Sequence, residues 1–105
     1  MDEDWLCADV YCHDNLQGYN GIVHGGVIAA IQDALMVNYL LQHNIENAYT
    51  AELNIRYKQQ IKINQQLHLR ARLEKHKPPL YVLKSEVLLN GQIMAYASGK
   101  FIQTN

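Results

Sequence analysis

The first half of the chain contains one long apolar stretch. From 27 to 41 the residues are almost wholly apolar, and only three polar residues interrupt them, Gln32, Asp33 and Asn38. The stretch is rich in Ala, Leu, Ile and Met and contains no proline. This pattern predicts a single long helix that starts near His24 and ends near His43-Asn44. Because such a helix is apolar on most faces, the rest of the chain must cover it on most sides.

After the helix the hydrophobic period changes from that of a helix to two, which is typical of β-strands. Leucine and alanine alternate with charged residues over 67–74, and Asn90-Gly91 is a strong signal for a two-residue hairpin. Lys77-Pro78-Pro79 breaks the chain between two strands. The predicted strands are 5–12, 48–58, 67–74, 80–89 and 92–102, and 14–21 is predicted to be a loop.

The predicted order is therefore a strand, a long helix and four successive strands. Short links between the last four strands favour an antiparallel meander. A sheet of about five strands wrapped around one central helix satisfies the pattern, in an α+β class and a single domain over residues 1–105. A cystatin-like domain has the same order, so the pattern alone leaves two folds open.

Composition excludes several classes of protein. Hydrophobic residues make up 49% of the 105 residues, so the chain is not disordered. No apolar run approaches the roughly 20 residues that span a bilayer. The acidic start, Met1-Asp2-Glu3-Asp4, lacks the order of a secretory signal. Cys7 and Cys12 are interpreted as reduced thiols, and the histidines have no metal-ligand spacing. We therefore expect a cytoplasmic protein without a membrane segment, metal or cofactor.

The net charge of −1 hides a strong asymmetry along the chain. No Lys or Arg precedes Arg56, and all nine basic residues follow from there. A locally basic face could bind phosphate groups while the molecule stays nearly neutral. Solvated strand edges, where lysine is common, explain the same residues equally well. The basic residues are not clustered with stacking aromatic residues, so we expect no nucleic-acid partner.

Two features carry candidate chemistry. His24-Gly25-Gly26 opens the helix, where unpaired backbone N–H groups and the helix dipole would stabilise an oxyanion, although a tight turn also explains the glycines. Asp33 lies among apolar helix neighbours, where burial would raise its pKa and make it a better base. The alternative is that Asp33 lies on one wet stripe of the helix.

The spacing of Gly25 and Asp33 predicts a dimer. The two residues are eight apart, which is about 12 Å along one helix. An oxyanion donor and an attacking group must each lie about 3 Å from the reacting atoms, so they cannot act together within one chain. A second copy with its helix antiparallel across a two-fold axis would bring Gly25 of one chain opposite Asp33 of the other, twice.

These residues resemble the hotdog-fold thioesterases, specifically the PaaI-like branch. The resemblance runs through 17–30, 33–36, 50–57, 79–83 and 97–101. It implies a central helix in an antiparallel sheet, with Gly25 N–H as the oxyanion donor and Asp33 as general base or nucleophile. It also implies that Thr50 places the water and that His24 shapes the turn or assists at the carbonyl. Gln17 or Asn20 could supply a side-chain amide, although the family's usual offset falls on Gly18.

The resemblance further implies an acyl-CoA thioesterase, with an acyl group on coenzyme A or on a carrier-protein pantetheine as substrate. We expect a homodimer or a dimer of dimers, with no cofactor. Candidate contacts to the phosphates are Arg56, Lys58, Arg70, Arg72, Lys75 and Lys77. Further candidate substrate contacts are Gly26, Tyr19, Tyr49 and Tyr81, although strand packing also explains Tyr81. Met36, Val37, Tyr39 and Leu40 could line an acyl pocket between two helices, with core packing as the alternative for each.

Two other functions fit a hotdog fold. The domain could bind acyl-CoA as a sensor, or act only as a dimerisation module, without turnover. A buried Asp33 argues against a pure binder, which has no need of such a carboxylate. A hotdog hydratase would use an Asp and a His in a different motif, typically on a loop leading into the helix, and His24 with Asp33 does not reproduce it.

Overall fold

A computed structural model describes residues 4–104, so the first three residues of the acidic start lie outside the described part. The elements in chain order are β1 Leu6–Cys12, a 3₁₀ turn Asp14–Leu16, β2 Gln17–Tyr19, β3 Ile22–Val23, α1 Gly25–Gln42, β4 Ala48–Tyr57, β5 Gln65–Lys77, β6 Leu80–Leu89 and β7 Gln92–Gln103. The predicted long helix and all five predicted strands are present. The loop predicted for 14–21 contains the 3₁₀ turn and β2, which forms a small hairpin with β3.

The five main strands form one antiparallel sheet in the order β1-β5-β6-β7-β4. The prediction of a meander through all four later strands is therefore wrong, because β4 pairs with β7 instead of β5. The link between β4 and β5 is seven residues long and is hydrogen-bonded to the β2–β3 hairpin. Ile61 is buried, and its carbonyl accepts a hydrogen bond from Val23 N–H at 2.8 Å. Ile63 N–H donates to the Gly21 carbonyl. A link fixed against the β2–β3 hairpin cannot form a tight turn.

The sheet packs against α1 with one face. Phe101, Leu83, Leu69 and Met36 are fully or almost fully buried in this core. Asn90 and Gly91 have φ angles of 51° and 80°, as a two-residue hairpin between β6 and β7 requires. The expected helix in an antiparallel sheet of five strands is thus confirmed.

The other face of the sheet carries most of the positive charge. Paired residues on neighbouring strands point to the same face, and the register places all nine basic residues except Lys58 and Lys62 on the face away from α1. Arg70 Nη2 lies 2.6 Å from Glu86 Oε1 in an ion pair, and the guanidinium carbons of Arg70 and Arg72 lie 4.3 and 4.5 Å from the centroid of the Trp5 ring. Most of the basic residues that are grouped in the second half of the sequence are therefore grouped on one face of the sheet.

A small polar cluster joins the N-terminal segment to the end of α1. Asp4 Oδ2 accepts a hydrogen bond from the Tyr39 hydroxyl at 2.9 Å and lies 3.0 Å from His43 Nε2. The other ring nitrogen of His43 lies 2.8 Å from the Tyr39 carbonyl oxygen. Both partners of the ring are acceptors, so the arrangement favours the imidazolium. Accordingly, the Tyr39 carbonyl and then Asp4 raise the pKa of His43, and Tyr39 and His43 lower the pKa of Asp4.

Candidate active site

The start of α1 leaves one backbone donor unused. His24 Nδ1 accepts a hydrogen bond from Gly26 N–H at 2.8 Å, and the His24 carbonyl accepts from Val27 N–H and Ile28 N–H. Gly25 N–H has no acceptor within residues 4–104, and the residue is exposed. A free N–H at a helix N-terminus is suited to an anion. Of the two glycine amides singled out in the sequence, the geometry therefore favours Gly25 and leaves Gly26 N–H committed to the cap.

The hydrogen bond from Gly26 N–H also selects the tautomer of the neutral His24 ring. Because Nδ1 accepts a hydrogen bond, the proton of the neutral imidazole lies on Nε2. A Cβ atom added to Gly18 would lie 2.9 Å from His24 Cα and 3.0 Å from its Cβ. His24 thus packs on the bare backbone of Gly18. The position where the family resemblance places a side-chain amide has no room for a side chain in this chain.

The two candidate amides take part in the turn between β2 and β3. Gln17 Oε1 accepts a hydrogen bond from Gly21 N–H at 2.6 Å. Asn20 lies at the exposed tip of the turn with a φ of 35°. Both residues precede the helix start closely in the chain, but neither side chain hydrogen-bonds to Gly25 among the described residues. Their role as substrate contacts stays a prediction.

Asp33 lies in the third turn of α1, half-buried, where Thr50 Oγ1 donates a hydrogen bond to its Oδ1 at 2.9 Å. A β-bulge brings Thr50 into this position. Thr50 pairs with Phe101 and Glu52 with Lys100, so that Ala51 is the extra residue. Strict alternation would put Thr50 and Leu53 on opposite faces, whereas the bulge lets both face the helix side. The strand therefore packs on the core and still orients the carboxylate.

The structure keeps the two halves of the predicted site apart within one chain. Asp33 and Thr50 form one group, and His24, Gly25 and Gly26 form another, about 12 Å away along α1. Within one chain, the two groups therefore cannot both contact the same reacting carbonyl. The prediction that one chain alone is incomplete follows from the helix itself.

A groove of about 320 Å³ adjoins Gly25. Lys58, one of the predicted phosphate contacts, lines it together with Tyr57 and a largely apolar set, and the complete lining is Ile22, Val23, Gly25, Ile28, Tyr57, Lys58, Gln59, Gln60 and Ile61. The Tyr57 hydroxyl donates a hydrogen bond to the Gly25 carbonyl at 2.7 Å. Tyr57 lies within the strand predicted for 48–58, and this contact becomes visible only in the folded chain, where the end of β4 lies beside the start of α1.

The remaining predicted contacts lie elsewhere. Arg56 lines a groove on the outer face of the sheet with Lys84 and Glu74. The four other outer-face candidates lie on the same face but do not line this groove: Arg70, Arg72, Lys75 and Lys77. Tyr81 is 7% exposed and its hydroxyl donates to Gln103 Oε1 at 3.3 Å. Phe101 of β7 lies between Tyr81 and Thr50 in the sheet, because it pairs with both residues. Within a single chain, neither Arg56 nor Tyr81 is brought to Gly25 or Asp33.

Three of the four residues expected to line an acyl pocket are core residues. Met36, Tyr39 and Leu40 are between 0% and 4% exposed, and they pack inside their own chain. Tyr19 and Tyr49 are exposed.

Between residues 4 and 104 no helix is long and apolar enough to cross a membrane, and no three His, Cys, Asp or Glu side chains are grouped as metal ligands would be. Cys7 is exposed, Cys12 is buried, and both are free thiols.

Comparison with solved structures shows the same architecture. A thioesterase superfamily protein superimposes with a TM-score of 0.89 at 22% identity, over 98% of this chain and 51% of the other, so this chain spans about half of that protein. A hypothetical thioesterase with coenzyme A from Streptococcus pneumoniae gives 0.90 at 15% identity, over 96% and 79% of the two chains. The N33D mutant of phenylacetic acid degradation protein PaaI from Thermus thermophilus gives 0.85 at 16% identity, over 95% and 85%.

Sequence comparison supplies the family independently of the fold. No curated protein matches the chain significantly. The sequence model described as thioesterase superfamily matches residues 20–77, which is more than half of the chain. The matched region includes the helix start, Asp33 and Thr50. The predicted resemblance is thereby confirmed: the chain belongs to the thioesterase superfamily and has the hotdog fold.

Proposed function

We propose that this chain hydrolyses acyl-CoA thioesters in a homodimer, with each active site built from Gly25 of one protomer and Asp33 of its partner. The observation that carries the proposal is the geometry of α1, which holds an unpaired N–H and an oriented carboxylate about 12 Å apart. The superfamily and the structural likeness to a hypothetical thioesterase with coenzyme A support the choice of substrate. A cytoplasmic location and a dimer of dimers belong to the same proposal.

The exposed side of α1 supports this pairing. Ala30, Ala34 and Leu41 are exposed and form a strip along the helix, and Asp33 lies at its edge. A two-fold axis that places Gly25 of one chain opposite Asp33 of its partner passes near Ala29, midway between the two residues along the helix. Small side chains at that crossing permit a close approach of two antiparallel helices. The edge of β4 beside the strip is also unpaired within the described chain and could continue a sheet into a second copy.

In the proposed reaction, Asp33 acts on the thioester carbonyl carbon directly or through a water molecule. As a base, the carboxylate takes a proton from water while the water oxygen forms a bond to that carbon. As a nucleophile, it forms the bond itself, and water then hydrolyses the resulting anhydride. In both cases the carbonyl oxygen becomes an oxyanion that the partner's Gly25 N–H stabilises, and the C–S bond then breaks with the electrons on sulfur.

The Thr50 hydrogen bond fits either role. It occupies Oδ1 of Asp33, whereas Oδ2 has no protein partner among residues 4–104 and is available for the reaction. The His24 ring, with its proton on Nε2, can assist at the carbonyl end as a donor without transferring that proton. The apolar groove beside Gly25 is suited to the acyl group, and Lys58 at its rim to an anionic part of the substrate.

A panel of short, long and aromatic acyl-CoAs tests the proposal. Asp33→Asn keeps the shape of the side chain and its acceptor for Thr50 but cannot take a proton, so we expect turnover to fall by roughly a hundredfold or more. Asp14→Asn, at an exposed acid in the 3₁₀ turn, is the matched control and should keep full activity. Binding of acyl-CoA without any turnover by the wild-type chain would favour the alternative, a non-catalytic acyl-CoA-binding or dimerisation module.

A further inference from the structure

We propose that Tyr57 is a positioning residue that holds the Gly25–Gly26 peptide from one side while His24 holds it from the other. The inference rests on the proposed function, because it concerns the amide that would bind the oxyanion. The Gly25 carbonyl and the Gly26 N–H belong to the same peptide unit. Tyr57 donates to that carbonyl at 2.7 Å, and His24 Nδ1 accepts from that N–H at 2.8 Å. One rigid plane is thus fixed at both edges by side chains.

The two glycines make such a clamp necessary. Glycine loses more conformational freedom than any other residue when it enters a helix, so a helix that begins Gly25-Gly26 frays easily. The first-turn bonds from Val27 N–H and Ile28 N–H to the His24 carbonyl form only when both glycines are helical. The His24 carbonyl and the Gly25 N–H belong to the same peptide unit. Fraying of the first turn would therefore rotate this peptide and turn the Gly25 N–H away from the oxyanion.

Tyr57 is placed to resist this fraying because it comes from another element. It is the last residue of β4, and it pairs with Ala95 of β7, so its position is set by the sheet. A Cβ atom on Gly25 would lie 3.5 Å from the Tyr57 hydroxyl, which is ordinary contact. The hydroxyl reaches the helix start without crowding it. The ring also forms part of the groove beside Gly25, so the substitution must spare the ring.

Tyr57→Phe removes the hydroxyl and keeps the ring. We expect kcat to fall roughly three- to tenfold, as loss of one hydrogen bond would allow, with KM changed by less than about twofold. Tyr96→Phe is the matched control: Tyr96 is exposed to a similar extent, 42% against 48%, but lies on the outer face of the sheet. Amide hydrogen exchange gives a second readout, and Gly26 N–H should exchange faster in Tyr57→Phe than in the control.

A rescue separates positioning from simple packing. Adding Gly25→Ala to Tyr57→Phe stiffens the first turn while keeping the N–H, so part of the lost kcat should return. The inference is overturned if Tyr57→Phe keeps the kcat of the control, whether or not Gly26 exchange changes. It is also overturned if kcat falls but Gly26 exchange is unaltered. A wild-type chain that turns over no thioester would instead remove the proposed function, and this inference with it.

Discussion

Ser85→Ala is expected to destabilise the fold strongly although it deletes a single oxygen atom. Ser85 of β6 and Gln32 of α1 are both 0% exposed, and the Ser85 hydroxyl donates to Gln32 Oε1 at 2.8 Å. Gln32 Nε2 donates to the Ile28 carbonyl at 3.3 Å. Without Ser85, the amide oxygen stays buried and unpaired, which costs about 1–3 kcal/mol. For a domain of this size, a loss near 2 kcal/mol lowers Tm by roughly 10 °C.

A double-mutant cycle isolates this hydrogen bond. Gln32→Met alone leaves the serine hydroxyl unpaired, whereas the double variant Gln32→Met/Ser85→Ala removes both polar side chains of this pair. We therefore expect the double variant to lose less stability than the sum of the single variants, with a coupling of roughly 1–2 kcal/mol. Guanidinium unfolding at one fixed protein concentration measures it, with Ser98→Ala on the exposed outer face as control. Strictly additive losses would refute the reasoning.

Two further variants test the site and the N-terminal cluster. Thr50→Val removes the donor to Asp33, so kcat should fall about tenfold while Thr50→Ser keeps most activity; equal rates for Val and Ser would contradict the orienting role. His43 has a raised pKa and Asp4 a lowered one, from ordinary values of 6.5 and 3.8. The pair therefore stabilises the fold most between these pH values, and its contribution is lost as pH rises through the raised pKa of His43 or falls through the lowered pKa of Asp4. Urea unfolding of wild type and His43→Gln at about pH 5 and about pH 9 should show a larger difference at the lower pH, and a difference that grows with pH would contradict it.

The sequence predicts the helix and the strands because their hydrophobic periods are long and clear. It also predicts that a site with Gly25 and Asp33 needs two chains, since helix rise fixes their separation. The pairing of β4 with β7 is not predictable in the same way. It depends on where the link 58–64 is held, and residues distant in sequence hold it: Val23 and Gly21 bind its backbone.

Details of the site escape the sequence for a similar reason. Nothing in a pattern of alternation shows that Ala51 is a bulge, yet this residue lets Thr50 reach Asp33. The HGG motif indicates bare backbone at the helix start, but not which amide is free, because the choice depends on the His24 rotamer. The basic residues after Arg56 read as one group in the sequence. Strand alternation sends most of them to the face opposite α1 and leaves Lys58 beside Gly25.

The central claim is that each active site joins two chains, and two variants can divide the site between them. Gly25→Pro removes the amide hydrogen at the first helical position, where proline is well tolerated. His24 already has the extended backbone that precedes a proline, with φ −58° and ψ 132°. Gly25→Ala keeps the N–H, and it should retain far more activity than the proline variant. Asp33→Asn removes the other half of the site.

The decisive measurement is the thioesterase activity of purified heterodimers that carry Gly25→Pro in one chain and Asp33→Asn in the other. Each parent homodimer should be inactive. In the heterodimer, the intact Gly25 of one chain faces the intact Asp33 of the other, so one of two sites is restored and activity should reach about half that of the wild-type dimer. Heterodimers as inactive as both parents would show that the two residues do not form a shared site.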